Sequence, residues 1–133
     1  MRENGPKREV TARTVKVLVH HREDRGMSLE PFASRCVRAG EVHELVTTTQ
    51  GDTTSGSRID KVGFLGFVEI DCAGVIDRGD EVWIGTKLIG TVLGFDSCHF
   101  PNHYNVLIHA KRTISGEDIS LKPEKEVRFR GQW

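Results

Sequence analysis

Nowhere does this sequence hold an apolar run near the ~18–20 residues that a membrane span needs. Its opening, MRENGPKREV, has no secretory apolar core. Cysteine is scarce: Cys36, Cys72 and Cys98 are odd in number, widely spaced and form no CxxC pair. That spacing excludes a zinc ribbon and fits free thiols in a reducing cytoplasm better than a disulfide framework. No charge sign dominates, because 19 basic and 19 acidic residues cancel. A global field favouring nucleic acid or an acidic membrane is therefore absent. Trp83 and Trp133 are isolated, so no stacking platform for bases is visible. The P-loop spacing GxxxxGK[ST] is missing as well. What remains is a chain of 133 residues, one domain by length and long enough to bury its own core. The expected partner is a small molecule in the cytoplasm, with neither nucleic acid nor membrane.

What is present reads as β structure. Residues 1–12 are polar and read as a flexible N-terminal tail, and residues 13–133 as a single β-barrel domain. Arg13 to His20 alternates with Val15, Val17 and Val19 on one face, the period of a strand. Ser28 to Arg38 could hold one short helix, with Ser28 as cap, Pro31 in the first turn and Gly40 closing it. Glu41 to Thr49 and Lys61 to Asp71 read as strands, separated by the loop QGDTTSGSRID. Glu81 to Ile84 is a strand ending at a two-residue hairpin loop, Gly85-Thr86. Asn105 to Arg112 and part of Ile119 to Phe129 supply the last strands. Short strands with glycine punctuation argue for a mainly all-β fold, a small closed or partly open β-barrel with at most one short helix. A sandwich is the main competitor.

The run FVEIDCAGVIDRGDEVWIG, then LIGTVLGF, a polar loop and HYNVLI, spans Phe67 to Ile108. In hydrophobic rhythm and glycine placement it resembles the glucitol/sorbitol-specific IIA component of the bacterial phosphotransferase system. The resemblance implies a small β-barrel. It does not extend to that family's phosphoryl chemistry, because Glu69 and Asp71 stand where its histidine motif would lie.

Three stretches carry candidate chemistry. Glu69 and Asp71 share a strand face with Leu65 and Phe67, so an apolar face ends in two carboxylates. Such a pair suits acid/base work, with one carboxyl protonated and the other not. The alternative is a solvated rim. TTSGSR offers Thr54, Ser57 and Arg58, hydroxyls and a guanidinium suited to a small anion. DSCHFPNHYN concentrates His99, Asn102 and His103 in a loop between strands. Loop spacing alone does not put two imidazole nitrogens on one ion, and a metal would need a third ligand from Asp96, Cys98, His43 or His109. The reading therefore expects no metal and no cofactor. It assigns catalysis to Glu69, Asp71 and His103, and ligand contacts to Thr54, Ser57, Arg58, His99, Asn102 and His43. The protein is expected to bind a polar, anionic metabolite as a homo-dimer or higher oligomer, and to turn it over by isomerisation, dehydration or cyclisation. The competing expectation is a non-catalytic binding or partner-interaction module.

Overall fold

A computed structural model describes residues 4–51 and 53–132. Its strands are β1 (Val10–Val17), β2 (His21–Arg22), β3 (Met27–Ser28), β4 (Ser34–Val37), β5 (Val42–Thr48) and β6 (Arg58–Ile59). They continue as β7 (Val62–Cys72), β8 (Gly74–Asp77), β9 (Glu81–Ile84), β10 (Lys87–Asp96), β11 (Asn105–His109) and β12 (Glu126–Arg130). Among the described residues the helical content is one 3-10 turn, Glu117–Ile119. The chain is all-β.

Hydrogen bonding runs β1-β12-β9-β10-β11-β5-β7, and β7 pairs again with β1, so the ladder closes into a ring. Closure leaves these strands without open edges, the usual solution for a small antiparallel sheet. All the seams are antiparallel except β5 with β11, which run parallel. Every strand of the ring contributes to one apolar cluster, including Val10, Leu45, Leu65, Val68, Val82, Phe95, Ile108 and Phe129. A second cluster joins Val46, Phe64, Leu93 and Leu107 to Met27, Leu29 and Ile59. Neighbours such as Leu45/Val46 and Leu107/Ile108 fall in different clusters, as two-residue alternation requires. The first cluster therefore fills the ring. The second lies on its outer face, beneath a flap made by the β3–β6 pair.

Three readings of the sequence are corrected here. Residues 10–12 belong to β1, not to a tail, and Val10 and Ala12 are fully buried. The buried face of β1 is Val10, Ala12 and Thr14, while Val15 and Val19 are exposed. The polar lead-in holds because Lys7 Nζ lies 2.7 Å from Asp77 and 2.5 Å from Asp80. Ser28 to Arg38 is no helix: its ends lie in β3 and β4, and β4 pairs antiparallel with β8. Pairing across the fold overrides the local capping pattern there.

The third correction concerns β7. Gly66 has φ +150° and stands at a bulge, where Leu45 opposes Gly66 but Val46 opposes Phe64. A bulge adds one residue and reverses which side the following side chains face. Leu65 is inward, and so are Val68 and Ile70. Phe67, Glu69 and Asp71 consequently face out.

Candidate functional site

The outward position on β5 next to Leu45 is Glu44. It is opposed by Phe67 of β7 on one side and by Asn105 of β11 on the other. Strand alternation thus puts a carboxylate on the outer face beside the loop that joins β10 to β11. Burial there is nearly complete, with Glu44 6% and His103 8% exposed.

The loop brings its histidines to that carboxylate. Although Pro101 prevents a helix, the turn still closes one bond of helical type, from His103 N–H to the His99 carbonyl at 3.3 Å. Residues four apart then stack on one side, and the two imidazole rings lie 5.0 Å apart. His103 Nε2–H donates to Glu44 Oε1 at 3.1 Å, and Asn102 Nδ2 donates to His103 Nδ1 at 2.9 Å. Phe67 meets the His103 ring edge-on at 5.0 Å between centroids. One donor atom from each of Glu44, His99 and His103 lies within 4.8 Å of the others. Two imidazoles and a carboxylate suit zinc, or a six-coordinate divalent ion with open positions.

A cation already touches this cluster. Arg25, just before the flap, donates from Nη2 to His99 Nε2 at 2.9 Å and to Cys98 Sγ at 3.3 Å. Its backbone is fixed by Arg25 N–H to the Asp60 carbonyl at 3.1 Å, and by Gly26 N–H to Asp60 Oδ1 at 3.0 Å. Beneath it, Asp96 anchors the start of the loop. Burial would push the Asp96 carboxyl up, but hydrogen bonds from Cys98, the Ser28 N–H and Asn105 outweigh that and hold its pKa below the ordinary value. The Cys98 thiol goes the other way, pushed up by burial and by neighbouring Asp96. Asn105 is fully buried, and its Oδ1 lacks a partner among the described residues.

Of the residues singled out in the sequence, His99, Asn102 and His103 converge here. The others do not. Asp71 is exposed and bound by Arg13 Nε at 3.0 Å, and Glu69 faces out two residues before it. Thr54 and Ser57 serve a tight turn, with Thr54 N–H donating to Ser57 Oγ at 2.9 Å. Arg58 pairs with Asp60 at 2.8 Å. That segment's contribution is indirect, because it builds the flap that carries Arg25. His43 is buried next to the cluster but is used structurally: Nε2 meets Glu41 at 3.0 Å, and Nδ1 accepts the Tyr104 N–H at 3.2 Å. Burial lowers its pKa.

Sequence reasoning missed Glu44 and Arg25. The alternation of EVHELVTTT was a usable signal for Glu44, since it sets Glu44 and Leu45 on opposite faces. Nothing local marks Arg25, which lies 74 residues from His99. Neither a curated protein nor a solved structure matches the chain. Residues 4–130 match a family described as a family of unknown function (DUF6917), and the chain belongs to that family.

Proposed function

We propose that the protein binds a divalent transition-metal ion through Glu44, His99 and His103 and uses it to hold a small polar ligand on the outer face of the ring. The observation that carries this reading is the 4.8 Å convergence of two imidazole nitrogens and one carboxylate oxygen. Asn102 supports it, because an amide beside His103 Nδ1 can turn its oxygen to the ring N–H once Nε2 carries an ion. A bound ion would also lower the pKa of its water and so supply a base that outward-facing Glu69 and Asp71 are not positioned to be. Loading replaces the His103–Glu44 hydrogen bond, and an ion on His99 Nε2 replaces the Arg25–His99 contact as well.

The test is metal content and thermal stability after dialysis against Zn²⁺. One equivalent should remain, and saturation at ~100 times Kd should stabilise the fold by about 2.7 kcal/mol, a gain removed by chelator. His99→Ala changes an exposed side chain and should abolish stoichiometric binding without unfolding the protein. Glu44→Gln should do the same where it folds. Retention of one equivalent by His99→Ala would reject the site, as would wild-type protein that takes up no ion.

A further inference from the structure

The residue that sits oddly in this cluster is Arg25. Its guanidinium contacts the imidazole nitrogen of His99, a weak partner for a cation. Among the described residues no carboxylate lies within 4.0 Å of it, and its side-chain contacts are His99 Nε2 and Cys98 Sγ. Two hydrogen bonds to Asp60 fix the backbone here, so the Arg25 side chain starts from a defined point within reach of His99. A metal ion on the His99 ring and a guanidinium 2.9 Å from its Nε2 repel each other. An anion ligating the ion and accepting from Arg25 turns that repulsion into two attractions.

We infer that the ligand of the metal centre is a small monocarboxylate with a short apolar body, one oxygen on the ion and the carboxylate paired with Arg25. The inference rests on the metal reading above. A carboxylate matches the planar fork of a single guanidinium. No helix N-terminus stands at the site to cradle a phosphate, since the 3-10 turn at Glu117–Ile119 is the helical segment among the described residues. The apolar part has a wall to meet in Phe67, whose ring lies against His103.

The experiment is calorimetric titration of the full chain with Co²⁺ in buffers of equal ionic strength containing chloride, benzoate or sulfate. Benzoate should tighten Co²⁺ binding about tenfold or more over chloride, the effect of one charge-assisted hydrogen bond. By reciprocity, Co²⁺ should tighten benzoate by the same factor. In Arg25→Met the benzoate enhancement should vanish, while Co²⁺ in chloride binds about two- to fivefold tighter, on the scale of an exposed charge contact. Co²⁺ binding that is equal in chloride and benzoate overturns this inference and leaves the metal reading standing. Equal enhancement by sulfate overturns the carboxylate class, and full enhancement in Arg25→Met overturns the role of Arg25. If Co²⁺ binds in none of the buffers, the metal reading fails and takes this inference with it.

Discussion

Replacing Gly66 with alanine places a methyl carbon 2.2 Å from the Lys16 carbonyl oxygen, in a residue whose φ is +150°. Both problems are local to the β1–β7 seam, where Val17 opposes Gly66 and Lys16 opposes Phe67. The backbone conformation alone costs a residue with Cβ about 1–3 kcal/mol. The clash is with backbone rather than a flexible side chain, so relief requires the two strands to part. Each ladder hydrogen bond lost there adds roughly 0.5–1.5 kcal/mol. The sum is about 3–5 kcal/mol, a large share of the ~5–15 kcal/mol that holds a domain together. Two controls separate the causes. Gly79→Ala has φ +94° but no atom within 4 Å of its Cβ, so it isolates backbone strain. Gly63→Ala lacks a positive φ but brings Cβ to 2.6 Å from the Ile114 carbonyl oxygen, so it isolates the clash. Urea unfolding followed by circular dichroism, with linear extrapolation, ranks the three. Gly66→Ala should be the most damaging. If it stays within about 0.5 kcal/mol of wild type, or does no worse than Gly79→Ala, the bulge and the outward placement of Glu69 and Asp71 are wrong.

Other outcomes follow from the same geometry. Lys7→Met removes the cation between Asp77 and nearly buried Asp80 and should cost about 1–3 kcal/mol in urea unfolding. No change would mean that the N-terminal segment is free after all. Asp96 contributes stability that is complete above the ordinary carboxylate pKa and lost as pH falls through its lowered folded value. Asp96→Asn should therefore narrow the difference in stability between pH 7 and pH 3, and an unaltered difference would refute the anchoring role.

The strand content was legible because alternation and glycine punctuation are local, as in EVWIG and its Gly85 turn. Closure of the ring was not readable to the same depth, since it depends on β1 meeting both β7 and β12 across the length of the chain. The carboxylate pair misled for a definite reason: strict alternation joins Leu65 to Glu69 and Asp71, and one bulged residue at Gly66 breaks that parity. His99 and His103 were visible as a pair, yet their closeness comes from a turn hydrogen bond that spacing cannot reveal. Arg58 looked like the anion anchor because it sits among hydroxyls, but Asp60 two residues on holds it. Arg25 reaches His99 through flap pairing alone.

X-ray absorption at the zinc edge of the loaded protein tests the central claim most directly, because a neighbouring competing donor is a thiol. Cys98 adjoins His99 and shares the Arg25 contact, so an ion attracted by that sulfur would announce itself at about 2.3 Å. Coordination by Glu44, His99 and His103 predicts only nitrogen and oxygen neighbours, at about 2.0–2.2 Å, with outer scattering from two imidazole rings. A sulfur neighbour, or fewer than two imidazoles, would contradict it.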